Sequence, residues 1–439
     1  MKVLSLQIFN IKEILLIIKN KFSFNKNKKQ VLSNIFSLSL LQFINYLFPL
    51  IAFPFLTRVL GKDNFGLVMF SQYFIQYFII FIDFGMEYTI TREISINRYN
   101  RKKIIEIFNS VMIIKSIIFI ISIIILLLVI FSFNSFTVNW KLHVLTFLMV
   151  FGQMIFPVWL FQGIEKMKYI TIINVISKLV FTVCLFFFIK KSSDILLVAL
   201  INSLGYIIGG IISFVIALRI IKYKLFVPSK EVIKKYFNLA KNVFISNFGT
   251  SLYMTSTPFI LGVVTNRHDV VGFYAIAEKI VRGIRYSITP VTQALFPFLS
   301  KKFTQNNSKN SINILFKLSL YLLPILFLML LMVNIFTHWI ANIFTNPVNN
   351  SVIIDIRIIS IILIIGTLNN VWGILGMVNL RLEKFFRNYV LISGVFNIIL
   401  CITLAYYFLD IGASISMVLT EILLLILISI KMKSIYLYA

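Results

Sequence analysis

The sequence predicts an all-α polytopic membrane protein. Its twelve transmembrane helices form two pseudo-twofold related six-helix lobes around a central cavity. Three observations carry this reading: composition, the placement of basic residues, and an internal repeat. The chain has 439 residues, of which 59% are hydrophobic and 13% charged, and its mean hydropathy is +0.94. Soluble domains carry about 25% charged residues. The apolar segments suit helical spans rather than barrel strands, because a helix needs ~20 apolar residues to cross a bilayer and a strand only ~10.

Taken in order, residues 1–30 form a basic arm with seven lysines, one glutamate and a short apolar run at Ile14–Ile18. No long apolar core with a small-residue cleavage site follows, so the arm is expected as a surface helix on the cytoplasmic side and not as a signal peptide. Apolar segments follow at 31–57, 66–90, 104–133, 139–162, 169–189 and 195–218, which make the first lobe (31–218). A basic cytoplasmic linker occupies 219–241. Segments at 242–264, 269–298, 312–337, 352–379, 386–409 and 411–430 make the second lobe (242–430), and 431–439 is a cytoplasmic tail.

Basic residues test this count. With both termini inside, 29 of the 42 Lys and Arg fall in cytoplasmic segments, six in outer loops and seven within spans. That asymmetry is what the positive-inside rule requires of an even number of spans. The formal net charge of +27 is therefore a topology signal, reinforced by anionic lipid, and not a nucleic-acid footprint. Cys184 and Cys401 both lie inside apolar segments, which argues against a disulfide framework or a zinc site. All loops are short, and no GxxxxGK[ST] loop is present to signal an ATPase.

The halves repeat each other. Span one carries Pro54-Phe55 and span two opens at Phe65-Gly66; span seven carries Pro258-Phe259 and span eight opens at Val271-Gly272. Aligning Gly66 with Gly272 sets Gln72, Gln76, Ile79, Asp83 and Glu87 opposite Glu278, Arg282, Arg285, Thr289 and Gln293. Six spans per half give both halves the same orientation, related by an axis along the membrane normal, with the substrate site between them. Pro49, Pro54 and Pro258 either bend the helices bordering that cleft or mark helix ends.

Span eight carries the most informative charges. Glu278, Lys279, Arg282 and Arg285 sit near its middle. A charge at bilayer depth costs roughly 2.5–3.5 kcal/mol on insertion scales, so such residues face a cavity or a partner. On a helical wheel Tyr274, Glu278, Arg282, Arg285, Thr289 and Gln293 share one stripe about 100° wide. Alternatively, Glu278 and Arg282 at i,i+4 are a structural pair. Arg282 and Arg285, with Lys279 at the edge of the stripe, are the candidate substrate-binding cations. Lys115 and Lys178 are secondary candidates, which otherwise snorkel or pair. Asp83, Glu87 and Glu278 are candidates for a gate or ion-coupling role. Asp355 and Arg357 sit near the outer end of span ten, where both can reach water, and Glu421, inside span twelve, is a candidate partner for a cation. Tyr73, Tyr77, Tyr274, Trp159 and Trp372 stack on sugar rings or, alternatively, pack and anchor.

The chain resembles the polysaccharide transporter family, the Wzx-type flippases of O-antigen and capsule repeat units. The resemblance rests on Leu56-Thr57-Arg58-Val59-Leu60-Gly61 with Phe65-Gly66, on Asp83-Phe84-Gly85 with Thr91-Arg92-Glu93, on Pro157 to Met167, and on Gly272-Phe273-Tyr274-Ala275 with Glu278-Lys279-Ile280. It runs over about residues 30–430. It implies the two-lobed fold of the multidrug/oligosaccharidyl-lipid/polysaccharide exporter superfamily. It also implies a substrate of oligosaccharide on undecaprenyl pyrophosphate, flipped from the cytoplasmic to the periplasmic leaflet of the bacterial inner membrane. It implies a cationic cavity, with a proton or sodium gradient as an optional driving force and no bound cofactor. Membrane lipids and the polysaccharide polymerase machinery are the expected partners.

The chemistry fits. A pyrophosphate head cannot cross hydrocarbon unaided, whereas fixed cations in a cleft lower that barrier while the polyprenyl tail stays in lipid. Arginine donates paired hydrogen bonds that match phosphate. One rival is a cation-coupled exporter of small solutes with the sibling fold, for which an acidic or apolar cavity is expected. A membrane enzyme acting on lipid-linked sugars is another. It is disfavoured by the short outer loops and by three scattered histidines, His143, His268 and His338, which form no triad or metal spacing.

Overall fold

The computed structural model describes residues 26–222, 226–289, 308–345 and 347–438, with residues 292, 295, 296, 299, 300, 302 and 303 between them. Most of the N-terminal arm, residues 1–25, lies outside the described residues, as does Gln293. The first half comprises α1 (Lys26–Leu60), α2 (Lys62–Asp83), α3 (Met86–Ile96), α4 (Arg101–Ser132), α5 (Trp140–Ile155), α6 (Val158–Gly163), α7 (Lys168–Phe188) and α8 (Ile195–Ile221). The second comprises α9 (Lys230–Thr265), α10 (His268–Tyr286), α11 (Ser308–Ile335), α12 (Thr337–Phe344), α13 (Asn350–Ser360), α14 (Ile362–Asn369), a π-helical segment at Asn370–Val378, and α15 (Glu383–Tyr438).

Nine stretches among the described residues are long and apolar enough to span a bilayer. One of them, Glu383–Leu437, is broken at Leu409, whose φ of 54° and ψ of −131° are not helical. Thr420 donates to Asn397 Oδ1 at 3.2 Å, across the break, so the two arms run antiparallel as a helical hairpin. Gly412 makes the hairpin tight, since a Cβ there would lie 2.0 Å from the Leu404 carbonyl oxygen. The helices α9 and α10 stand where spans seven and eight are expected. The observed elements are thus consistent with twelve spans.

Several boundaries differ from the expectation: the expected span two breaks at Phe84-Gly85, and the last helix runs through most of the expected tail to Tyr438. Much of the basic linker is helical, because α9 starts at Lys230 and runs unbroken through the expected start of span seven at 242. Its early turns are amphipathic, and Tyr236 and Ala240 are fully buried. Span ten is not one α-helix; it changes to π geometry at Asn370. Local widening of this kind leaves backbone groups off the regular ladder and occurs often at functional sites.

Within the first half, α5 and α8 cross closely at small residues. A Cβ on Gly210 would lie 2.5 Å from the Gly152 carbonyl oxygen. Such contacts suit a bilayer, where close backbone packing, not water exclusion, drives association.

The helix α2 runs the depth of the junction between the halves. Near its N-terminal end Gly66 meets α10: a Cβ there would lie 1.7 Å from the His268 carbonyl oxygen, and one on Gly272 would lie 3.1 Å from the Gly66 Cα. The two glycines aligned by the repeat therefore pack on each other, as residues beside a twofold axis do. Thr57 and Arg58 add hydrogen bonds to the carbonyls of Phe344 and Ile343, at 2.5 and 3.1 Å. At its C-terminal end α2 stops at Phe84 and Gly85, both left-handed with φ of 43° and 68°. Gly85 lies against α9, where a Cβ would come within 2.6 Å of the Phe244 nitrogen. Phe84 stacks on Phe244 with ring centroids 4.6 Å apart. The family-like Asp83-Phe84-Gly85 run is thus a second contact between the halves, at the opposite end of α2.

Candidate functional site

Between these two contacts α2 presents Gln72, Tyr73 and Gln76 to a cavity of about 320 Å³. The walls come from α1 (Asn45, Tyr46), α5 (Gln153), α7 (Asn174, Lys178) and α8 (Asn202, Tyr206), and from Thr255 of α9. Across from them α10 contributes Glu278, Lys279 and Arg282. Three cations therefore face one acid among the described lining residues. With the side chains in their ordinary charge states, the cavity is net cationic.

The charged groups are individually placed. Arg282 pairs with Glu278 at 3.0 Å along α10, one turn apart, so the i,i+4 pair exists and lines the cavity as well. Tyr73 donates to the other Glu278 oxygen at 2.7 Å, from the opposite half. Lys178 donates to Asn45 Oδ1, which holds the ammonium on the α1 side. Lys279 lies 6.0 Å from the Tyr46 ring centroid, and that ring stacks on Tyr286 at 4.8 Å. Neither lysine has a carboxylate partner among the described ion pairs within 4.0 Å.

Other predicted site residues are elsewhere. Arg285 is turned into the second half, where it pairs with Glu421 at 3.1 Å and donates to the Gly366 carbonyl at 2.7 Å. Asn369 donates to the second Glu421 oxygen at 2.6 Å, so the carboxylate is fully engaged. Lys115, 2% exposed, pairs with Asp83 at 3.3 Å. Glu87 accepts from Gln162 at 2.7 Å, and Thr91 donates to Gln162 Oε1 at 3.1 Å. Asp83, Glu87 and Lys115 thus form a polar cluster within the first half, beside the Phe84–Phe244 contact. Arg285 and Lys115 are removed from the cavity for one reason: each is itself buried and has a carboxylate within reach, and an unpaired buried charge is costly.

Among the aromatic candidates Tyr73 lines the cavity. Trp159 and Tyr274 are fully buried, against Phe108 and the Met417 sulfur respectively, and Tyr77 packs edge-on to Phe259. Sequence reasoning did not single out Asn45, Tyr46, Gln153, Asn174, Asn202 or Tyr206 as site residues. The polar ones carry a weak signal, an uncharged polar group inside an apolar span, which many packing residues share.

The two-lobed helical fold and the cationic cavity between its halves define a multi-pass membrane transporter. The fold is similar to that of the lipid II flippase MurJ in an inward closed conformation, with a TM-score of 0.67 and 14% identity over 93% of this chain and 90% of that one. It is also similar to an inward-facing multidrug resistance MATE family transporter of the MOP superfamily, with a TM-score of 0.64 and 14% identity over 91% of this chain and 98% of that one. The family model for polysaccharide biosynthesis proteins matches residues 31–303. A relative from Escherichia coli (strain K12), named "Putative O-antigen transporter", is 31% identical over 406 residues, 91% of this chain and 96% of the relative. The chain belongs to the polysaccharide biosynthesis protein family, and the relatives and neighbours it matches are named as transporters or flippases rather than as enzymes.

Proposed function

We propose that the chain flips an oligosaccharide carried on a polyprenyl pyrophosphate, undecaprenyl pyrophosphate in bacteria, from the cytoplasmic to the outer leaflet of the inner membrane, with both termini cytoplasmic. The carrying observation is the shared cavity of Lys178, Lys279 and Arg282, balanced among the described lining residues by Glu278. Cations lining a cavity between two lobes are what an anionic head group needs in order to leave water. The O-antigen relative supports a cell-surface polysaccharide as the end product. The architecture supports an alternating-access cycle. The halves touch at Gly66–Gly272 outside and at Phe84–Phe244 inside, and opening one contact at a time exposes the cavity to one side.

The cluster of Asp83, Glu87 and Lys115 beside the inner contact reads as part of an inner gate. Glu278 tunes the cation site. A proton or sodium gradient remains an optional driver. The sibling reading, an exporter of cationic solutes, is opposed by the cationic cavity. The test is leaflet exchange of polyprenyl-pyrophosphate-linked oligosaccharide in proteoliposomes, with and without ion gradients. Exchange above protein-free vesicles supports the reading. Absence of exchange under every gradient, with the protein folded, refutes it.

A further inference from the structure

The internal repeat places Gln72 opposite Glu278 and Gln76 opposite Arg282, and all four line one cavity. At equivalent positions, then, the second half supplies charge and the first half supplies carboxamides. Gln153 of α5 and Asn202 of α8 extend the amide side of the wall. Among the described residues the side chains of Gln72, Gln76 and Gln153 make no hydrogen bond, and the Asn202 amide nitrogen meets the Met149 sulfur, at 3.5 Å. A thioether is a weak acceptor, so this amide keeps its hydrogen-bonding capacity.

Polar groups inside a membrane protein cost free energy unless something satisfies them. A carboxamide both donates and accepts, and so does a sugar hydroxyl or an acetamido group. A carboxylate only accepts. The cavity volume of about 320 Å³ is at the small end of the ~300–1,000 Å³ range of small-molecule sites. It takes the phosphate-proximal part of a head group and not a long oligosaccharide.

We infer that Gln72, Gln76, Gln153 and Asn202 form a subsite for one uncharged, hydroxyl- or acetamido-bearing sugar ring, the ring bonded directly to the phosphate. This rests on the proposed function and deepens it: Lys178, Lys279 and Arg282 hold the anionic linkage, and the amide wall reads the first sugar as neutral. Sugars farther along the chain lie outside the wall and are not read by it.

Binding by the full-length purified protein tests this with three probes: bare polyprenyl pyrophosphate, the same lipid bearing one N-acetylhexosamine, and the same lipid bearing one hexuronic acid. The neutral sugar is expected to tighten binding about tenfold over the bare lipid, the discrimination of one or two hydrogen bonds, and the uronic acid is expected to add nothing. The Gln72→Leu/Gln153→Leu variant is expected to lose the increment and keep the bare-lipid affinity. Equal binding of bare and neutral-sugar lipids, or binding of the uronic acid lipid as tight as the neutral one, overturns the subsite while leaving the flippase reading intact. Failure of wild type to bind any of the three probes overturns both. The wild-type comparison needs no variant, so a misfolded double variant does not shelter the idea.

Discussion

Tyr73 of α2 donates a 2.7 Å hydrogen bond to Glu278 of α10, so the acid in the cavity is held by both halves of the molecule. Its other oxygen takes Arg282 at 3.0 Å. The phenol draws part of the carboxylate's charge away from the guanidinium and leaves Arg282 better able to meet an anion. Tyr73→Phe removes a charge-assisted bond of about 1.5–3 kcal/mol and lets Glu278 neutralise Arg282 more fully. The expected outcome is several-fold weaker binding of polyprenyl pyrophosphate, read by titration of the purified protein, with the fold retained. Unchanged affinity would show that the bond does not tune the site.

The glycine contact at the outer junction is asymmetric. A Cβ on Gly66 meets backbone at 1.7 Å, whereas one on Gly272 sits at 3.1 Å from its nearest neighbour. Gly66→Ala must push the halves apart there, at a cost of about 1–3 kcal/mol. Gly272→Ala needs a shift of only a few tenths of an ångström. Thermal unfolding in detergent should show a clear loss for the first and a small one for the second. Cysteine cross-linking across the outer junction should fall in the same order.

Arg285 and Glu421 are 9% and 3% exposed and pair with each other, with further hydrogen bonds from Arg285 to the Gly366 carbonyl and from Asn369 to Glu421. Removing one partner strands a buried charge, at about 3–5 kcal/mol. Replacing both by apolar residues removes the problem. Arg285→Met and Glu421→Leu alone are therefore expected to unfold at markedly lower temperature than the double variant. In the folded double variant, affinity for polyprenyl pyrophosphate should match wild type, because neither residue lines the cavity.

The span pattern was legible because a bilayer demands ~20 apolar residues per crossing and leaves little freedom. The α9 extension from Lys230 was hidden because its sequence is basic and reads as a loop. Intramembrane charge flagged Lys279, Arg282 and Arg285 alike. What separates them is the partner: Glu421, far along the chain, claims Arg285, and periodicity carries no such information. Lys115 was drawn to Asp83 for the same reason, while Lys178 found only the neutral Asn45 and stayed in the cavity. The repeat alignment was more informative than any single motif. It paired Gly66 with Gly272, which touch, and Gln72 and Gln76 with Glu278 and Arg282, which share a cavity.

The central claim is that cations within the cavity, and not intramembrane charge in general, carry the head group across. The most direct measurement is leaflet exchange of a pyrophosphate-linked oligosaccharide in proteoliposomes for wild type, Lys279→Ala/Arg282→Ala, and Lys317→Ala. Lys317 is an exposed cation on α11 that does not line the cavity. The account predicts exchange at wild-type rate for Lys317→Ala and at least a tenfold loss for the double variant, which is about 1.4 kcal/mol of lost stabilisation and small beside the worth of two charge-assisted contacts. A folded double variant that exchanges lipid as fast as wild type would contradict it.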